Sequence, residues 1–188
     1  MKMNTACFTG GRPKSLYPIN PYGQQLNYDR MVDNVFQYLM TLYQEKHIYR
    51  YISGGAQGFD QIAFEAVEKL KQQYPDVQNI VYIPFQKQDA RWSAKGVFSK
   101  EKYAQMLSLA DEIKVCSPLN VDTATFPEIT KALMHRNACM CNDSNICIGQ
   151  YADSSWQYSR GGTANCLRYA ARHNMTIHVQ DFRPKEGA

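Results

Sequence analysis

The sequence predicts an α/β fold in which helices cover both faces of a mostly parallel sheet, giving a three-layer sandwich. Short apolar runs alternate with longer segments of helical periodicity along the whole chain. Glycine-containing turns follow three of the predicted strands or the loops after them, and two of these turns lead directly into helices. Because parallel strands are joined by right-handed crossovers, few topologies remain for such a chain.

The elements follow from periodicity and from the residues that end each run. Short apolar runs that stop at glycine or proline predict strands, and apolar residues at helical spacing, such as Val32, Val35 and Leu39, predict helices. In chain order we expect a strand at 5–9, a helix at 28–46, a strand at 49–53, a helix from about 61 to 74, a strand at 78–83, a helix at 100–110, a strand at 111–116, a helix at 127–140, a strand at 145–149, a helix from 161 and a strand at 175–179. Residues 14–25, 85–98 and 151–160 are expected to be loops.

Length and composition indicate a single cytoplasmic domain. The 188 residues predict one domain at 1–182 and a flexible tail at 183–188. No apolar run reaches the roughly 18–20 residues of a membrane span, and residues 1–8 are too short and polar for a secretory signal. We therefore expect no membrane partner and six reduced cysteines. The net charge of +4 suits anionic ligands but is too mild to favour nucleic acid as the partner.

The most informative stretch is Ser53–Asp60, with the sequence SGGAQGFD, between a predicted strand and a predicted helix. Glycines let backbone N–H groups approach an anion closely, and the helix N-terminus adds free donors and a partial positive charge. The stretch therefore predicts a phosphate-binding turn. A glycine-rich turn without any ligand is the alternative.

Two further segments carry the same signal, Thr9–Pro13 after the first strand and Gly161–Thr163 at the start of the last helix. In a parallel sheet, ligands bind beyond the carboxyl ends of the strands, near the point where the strand order reverses. We expect these three segments to converge at that edge and to bind a nucleotide-like ligand.

An ordered set of motifs adds a family resemblance. The set comprises Thr9-Gly10-Gly11-Arg12-Pro13, Ser53 to Asp60, Gln88 with Trp92, Arg136-Asn137 with Met140, and Gly161-Gly162-Thr163-Ala164. Over nearly its whole length the chain resembles the YpsA-like family (domain of unknown function 1273) of the SLOG superfamily. The resemblance implies a Rossmann-like fold, a nucleotide-derived ligand and a homo-oligomer. Such relatives include Lonely Guy phosphoribohydrolases, the DNA-processing protein DprA and sensor domains of bacterial anti-phage systems.

The sequence departs from these relatives at several positions. Lonely Guy enzymes carry a PGGxGTxxE signature whose glutamate assists N-glycosidic cleavage, and Cys166 stands at that position here. A thiol is a poor substitute for this carboxylate at neutral pH. Ala138-Cys139 replaces an expected aromatic residue, and Asn142 and Asn145 replace expected acidic ones. Fewer carboxylates would favour a more anionic ligand if these positions face the site.

The predicted ligand-binding residues come from these motifs, and no catalytic residue is assigned. They are Thr9, Gly10, Gly11, Arg12, Ser53, Gly54, Gly55, Gln57, Gly58, Asp60, Trp92, Arg136, Asn137, Gly161, Gly162 and Thr163. Each polar one has a plainer alternative. Arg12 either clamps a phosphate or is a solvated loop residue, and Asp60 either binds a ribose hydroxyl or complements its helix dipole. Trp92 either stacks on a base or only packs against the sheet. Arg136 binds ligand, contacts a subunit or complements a helix C-terminus.

A metal site is not expected. Cys139, Cys141 and Cys147 lack the paired C-x2-C spacing of zinc sites, and a single helical histidine, His135, lies nearby. No cofactor is required by the sequence.

The leading hypothesis is therefore a protein that binds an ADP-ribose-like or cyclic-nucleotide-like signalling compound, as a sensor or a sequestering protein. A nucleotide N-glycosidase is the second hypothesis. Single-stranded nucleic-acid binding, by analogy with DprA, is the third because the positive charge is mild.

Overall fold

A six-stranded, all-parallel sheet forms the middle layer of the protein. A computed structural model describes residues 4–16 and 24–184. The strands are β1 Thr5–Thr9, β2 Arg50–Ser53, β3 Gln78–Ile83, β4 Glu112–Val115, β5 Ile146–Gln150 and β6 Thr176–Gln180. The helices are α1 Pro13–Leu16, α2 Gln24–Lys46, α3 Phe59–Gln73, α4 Lys100–Leu109, α5 Phe126–Asn142 and α6 Gly162–Arg172.

The strand order β4-β3-β2-β1-β5-β6 places the topological switch between β1 and β5. The chain first runs outward from β1 to β4, and α5 then carries it back to the other side of β1. Thr9 and Gly149 are paired at the carboxyl ends of β1 and β5. Crossovers leave in opposite directions from such a point, so a crevice opens between the two strand ends. The predicted α/β, Rossmann-like fold is confirmed, and the sheet is fully parallel.

Side chains along the central strands point alternately to the two faces of the sheet, so each face has its own part of the hydrophobic core. Phe8 and Tyr51 stack on each other with ring centroids 5.9 Å apart on the face covered by α2 and α3. Cys7 and Ile52 point to the opposite face, where they pack with residues of α5 and α6. Successive strand residues point to opposite faces, so both faces of these buried strands are apolar.

Most predicted elements agree with the structure to within a few residues. The helix predicted from Tyr28 begins at Gln24, and Pro13–Leu16 forms one helical turn partly within the predicted loop. Residues 17–23 of that loop and 185–188 of the predicted tail lie outside the described residues. A 3-10 turn, Ser154–Gln157, lies within the loop predicted at 151–160. In the described part of the chain, no helix combines the length and apolarity that crossing a membrane requires.

Candidate functional site

A cavity of about 560 Å³ opens at the switch point between β1 and β5. Its walls come from the carboxyl ends of these two strands, from α1, from α5 and from the N-terminal ends of α3 and α6. Eleven of the sixteen predicted ligand-binding residues line it: Thr9, Gly10, Gly11, Arg12, Gln57, Asp60, Arg136, Asn137, Gly161, Gly162 and Thr163. The structure therefore brings together residues from all three glycine-containing segments.

The first two glycine segments are packed directly on each other. Gly58 has a φ of 104°, and a Cβ there would lie 2.3 Å from the carbonyl oxygen of Gly11. The next residue, Phe59, donates its backbone N–H to that same oxygen at 3.1 Å. Glycine is needed at position 58 for both conformation and space. This contact fixes the loop after β1 against the start of α3.

An ion pair between α3 and α5 closes the floor of the cavity. Arg136 donates from Nη1 to Oδ2 of Asp60 at 3.2 Å, and the same carboxylate oxygen accepts from the backbone N–H of Ala56 at 3.2 Å. A Cβ on Gly54 would lie 1.2 Å from Nη1 of Arg136, so glycine at this position makes room for the guanidinium. Nε of Arg136 is buried and has no hydrogen-bond partner in the described part of the chain. Since a guanidinium has five N–H donors, this buried cation has donors left for a ligand.

Arginines give the cavity a positive lining. Arg12, Arg136, Arg160 and Arg183 line it, whereas Asp60 is the only carboxylate among its described lining residues. The pKa of Arg12 is lowered, first because surrounding protein displaces water and also because Arg136 is close, while Asp60 opposes the shift. Neither Arg12 nor Arg160 forms an ion pair with a residue that the structure describes. Two arginines are thus available to a ligand with negative charge.

The N-terminus of α6 leaves open space at the cavity wall. Gly161 has a φ of 119°, and no side chain caps the helix there. A Cβ added to Gly161 or Gly162 would meet no atom within 4 Å. Packing against the described chain therefore does not demand glycine at position 162. Backbone N–H groups at a helix N-terminus attract anions, and glycine lets an anion approach them closely.

Several lining residues were not predicted from the sequence. Arg160 precedes Gly161 directly, and its loop is held by Arg168, whose Nη1 donates to the carbonyl oxygens of Trp156 and Ser159 at 2.8 and 2.7 Å. Arg160 is adjacent in sequence to the glycine pair, but this position alone does not distinguish an arginine that faces the cavity from one that faces solvent. Gln150 and Tyr151 lie at the carboxyl end of β5, beside the switch point. Their place in the cavity lining can be inferred only once the strand order is known.

Arg183 lies in the segment predicted to be a flexible tail, yet it lines the cavity. It donates from Nε and Nη2 to the carboxylate of Asp181 at 2.8 and 2.6 Å. Gln150 supports this pair, since its side chain donates to Asp181 at 3.0 Å and accepts from the backbone N–H of Phe182 at 2.7 Å. The end of β5 thereby holds the segment after β6 against the cavity.

Five predicted residues do not line the cavity: Ser53, Gly54, Gly55, Gly58 and Trp92. Gly54 and Gly58 instead allow the close contacts described above, and Ser53 is fully buried at the end of β2. Trp92 packs against Tyr103 with ring centroids 5.0 Å apart. These residues therefore support the walls of the cavity or lie away from it.

The positions that lack expected carboxylates also lie outside the cavity lining. Asn142 accepts from the Tyr169 hydroxyl at 3.0 Å, and Asn145 accepts from the backbone N–H of Thr5 at 3.4 Å. Asn142 and Asn145 therefore do not face the site, so the loss of carboxylates at these positions does not make the site more favourable for an anionic ligand. The positive character of the cavity comes from its arginines. Cys166, at the position of the Lonely Guy glutamate, is buried and does not line the cavity.

Cysteines do gather beneath the cavity, although not in the set considered from the sequence. The Sγ atoms of Cys7, Cys141 and Cys147 all lie within 4.8 Å of one another, and Cys166 Sγ lies 3.7 Å from Cys141 Sγ. All four are buried. Hydrogen bonds with Cys141 and Cys147 lower the pKa of Cys7, while burial opposes this shift. Cys139 lies apart, 3.6 Å from Nε2 of His135.

The chain is similar over most of its length to a known family and to a known protein. The YpsA family model, described as the YspA SLOG family, matches residues 6–184. The uncharacterized SPbeta prophage-derived protein YoqJ of Bacillus subtilis (strain 168) is 35% identical over 159 residues, or 82% of this chain and 88% of that protein. A structure that addresses the single-stranded DNA binding mode of DNA processing protein A from Helicobacter pylori matches 93% of this chain with a TM-score of 0.46 and 17% identity. The match spans 64% of that structure's chain, less than two thirds of its length.

Proposed function

The chain belongs to the YspA SLOG family, and we propose that it binds a phosphate-bearing, nucleotide-derived small molecule. The ligand lies in the cavity between β1 and β5. The ligand class is ADP-ribose-like or cyclic-nucleotide-like, and the protein acts as its sensor or as a protein that sequesters it. The proposal rests on one observation above all. Among the residues that the structure describes, four arginines and one carboxylate line an open cavity at the switch point of a parallel sheet.

The chemistry of the lining suggests how such a ligand is arranged. Phosphate oxygens fit the N-terminus of α6, where Gly161 and Gly162 leave space and Arg160 adds a positive charge. Arg12 and the unused donors of Arg136 offer further contacts to phosphate or ribose oxygens. Leu16, Leu133 and Met134 supply apolar surface in the same cavity for a base or a sugar face. A mixed lining of this kind suits a nucleotide better than inorganic phosphate.

The residues that line the cavity favour binding of the ligand without its cleavage. The only carboxylate among the described lining residues, Asp60, already accepts from Arg136 and from the backbone of Ala56. A general acid or base must reach the reacting group and exchange a proton with it. Asp60 in its present pairing is poorly suited to that task, and the buried thiol of Cys166 is outside the cavity.

Isothermal titration calorimetry tests the proposal with ligands matched in pairs. AMP, cyclic AMP and ADP-ribose are titrated beside adenosine, which keeps the base and ribose but lacks phosphate. We expect at least one phosphate-bearing compound to bind, and adenosine to bind at least about tenfold more weakly, since each charge-assisted hydrogen bond contributes about 1.5–3 kcal/mol.

Two further arms complete this test. A single-stranded oligonucleotide that binds with steep salt dependence while all mononucleotides fail would indicate a nucleic-acid partner instead. Analysis of each titration mixture for released base or ribose phosphate detects cleavage. The small-molecule proposal is wrong if no phosphate-bearing compound binds, or if adenosine binds as tightly as AMP.

A further inference from the structure

Four cysteines from four separate elements meet under the cavity, on the face of the sheet covered by α5 and α6. Cys7 on β1 and Cys147 on β5 are register partners on neighbouring strands. Cys141 comes from α5 and Cys166 from α6. The first three sulfur atoms lie within 4.8 Å of one another, and Cys166 Sγ is 3.7 Å from Cys141 Sγ. These are four of the six cysteines in the chain, and all four are buried.

We propose that Cys7, Cys141, Cys147 and Cys166 form a structural site for one Zn²⁺ ion. Zinc takes four thiolates in a tetrahedron with Zn–S distances of about 2.3 Å, which places the sulfurs about 3.8 Å apart. The 3.7 Å contact between Cys141 and Cys166 matches that edge, and the sulfurs of Cys7 and Cys147 lie within 4.8 Å of Cys141 Sγ and of each other. Cys166 Sγ lies outside the group of sulfurs that are all within 4.8 Å of one another, so its side chain has to move toward Cys7 and Cys147 to close the set around an ion.

The simpler explanation is that these cysteines fill the hydrophobic core as small apolar residues and bind no metal. Buried cysteine does behave in this way in many proteins. Packing alone, however, gives no reason for sulfur atoms from β1, β5, α5 and α6 to face one another. The surrounding core supplies apolar partners such as Ile52, Met140 and Leu167. Mutual orientation of thiols is what a soft metal ion requires.

The position of the cluster suggests what the ion does. Cys7 is two residues before Thr9, and Cys166 is four residues after Gly162, so two ligands lie on elements that form the cavity wall. Cys141 shares α5 with Arg136. A zinc ion would therefore tie together β1, β5, α5 and α6 and hold the cavity in shape. The proposal does not depend on the identity of the ligand in that cavity.

Binding replaces thiol protons by the metal, so no electron is transferred and the released protons go to solvent. Because the cluster is buried, the test loads the ion during folding. The full chain is unfolded in denaturant with a thiol reductant and a chelator, desalted, and refolded with or without one equivalent of Zn²⁺. Bound zinc is then counted after gel filtration. We expect about one ion per chain and a higher melting temperature than for protein refolded without metal.

Surface thiols need a matched control, because Cys116 and Cys139 are only partly buried and Cys139 lies beside His135. The double variant Cys116→Ser/Cys139→Ser keeps only the four cluster cysteines and should bind zinc as the wild type does. Cys141→Ala and Cys147→Ala should lose the bound ion. Because cluster variants can fail to fold, the double variant is also refolded with Co²⁺. Sulfur-to-cobalt charge-transfer bands and the d–d spectrum of tetrahedral Co²⁺ then report the site without any cluster mutation.

The proposal is overturned if the double variant, refolded with metal, binds no zinc and shows no tetrahedral thiolate spectrum with cobalt. It is equally overturned if folded Cys141→Ala or Cys147→Ala retains the full zinc content.

Discussion

Nη1 of Arg136 lies 3.2 Å from Oδ2 of Asp60, and the two side chains are only 7% and 10% exposed. This pair joins α5 to α3 beneath the cavity. A buried ion pair contributes little relative to apolar residues of the same shape, but removing one partner leaves an uncompensated charge. The pair therefore constrains which single substitutions the site tolerates.

We expect Asp60→Asn to lower the free energy of unfolding by about 3 kcal/mol, because Arg136 then stays buried without its carboxylate. The double variant Asp60→Asn/Arg136→Met removes both charges and should recover part of that loss. Urea unfolding of the two variants and of Arg136→Met completes a double-mutant cycle. A loss of less than about 1 kcal/mol for Asp60→Asn, the range of exposed pairs, would contradict the buried pairing.

Two glycine positions provide a matched pair of substitutions. Gly58→Ala places a methyl group 2.3 Å from the Gly11 oxygen at a φ of 104° and should destabilise the protein by at least about 2 kcal/mol. Gly162→Ala meets no atom within 4 Å and should leave stability within about 0.5 kcal/mol of the wild type. Only the second variant isolates the role of open space at α6.

For Gly162→Ala we expect weaker binding of the phosphate-bearing ligand with an unchanged melting temperature of the free protein. Calorimetric titration and thermal unfolding of the same preparation separate these two quantities. Equal affinity in Gly162→Ala and wild type would show that the ligand does not approach the start of α6.

Substitution of Arg12 or Arg160 in the cavity should affect ligand binding, whereas substitution of an arginine away from the cavity should not. Arg12→Ala and Arg160→Ala each remove a cation that has no ion-pair partner in the described structure, so affinity should fall about tenfold or more. Arg172→Ala is the control, because Arg172 lies in the last turn of α6 and does not line the cavity. Its affinity should equal that of the wild type. If all three variants lose affinity equally, the effect is one of net charge rather than of the site.

The sequence allowed the fold and the glycine segments of the site to be predicted because both depend on local signals. Strands such as Thr5–Thr9 are short apolar runs that end at glycine, and the segment Ser53–Asp60 lies between a strand and a helix. Since carboxyl ends of parallel strands share one edge, the convergence of such segments follows once the alternation is recognised. The order of the strands depends on long-range pairing and could not be predicted from the sequence. The sequence therefore did not show which two strand ends flank the cavity.

Side chains that act through long-range contacts were the part that could not be predicted. An exposed arginine in a loop, such as Arg160, has the same sequence appearance whether it faces a cavity or solvent. Arg136 was among the predicted ligand-binding residues, but its burial and its pairing with Asp60 became evident only from the structure. The cysteine cluster draws on β1, β5, α5 and α6, so no local spacing motif marks it. Each case needs the tertiary fold before its chemistry can be judged.

The Asp181–Arg183 pair gives a prediction for acid stability. Hydrogen bonds from Arg183, with a further one from Gln150, lower the pKa of Asp181 from 3.8 to about 2, while burial opposes the shift. A carboxylate with a lowered pKa in the folded state stabilises the protein above its unfolded pKa. That contribution is present above about pH 4 and is lost as the pH falls toward 2.

We therefore expect Asp181→Asn to be less stable than the wild type at pH 6, with the difference shrinking between about pH 4 and pH 2. The side chain of Asp181 is one-third exposed, at 33%, so solvent reduces the gain to at most about 1 kcal/mol. Urea unfolding across this pH range measures the difference. Arg183→Gln should reproduce the effect because it removes the main cause of the shift. A constant difference between Asp181→Asn and wild type from pH 6 to pH 2 would mean that Asp181 acts through packing of the segment after β6, and not through its charge.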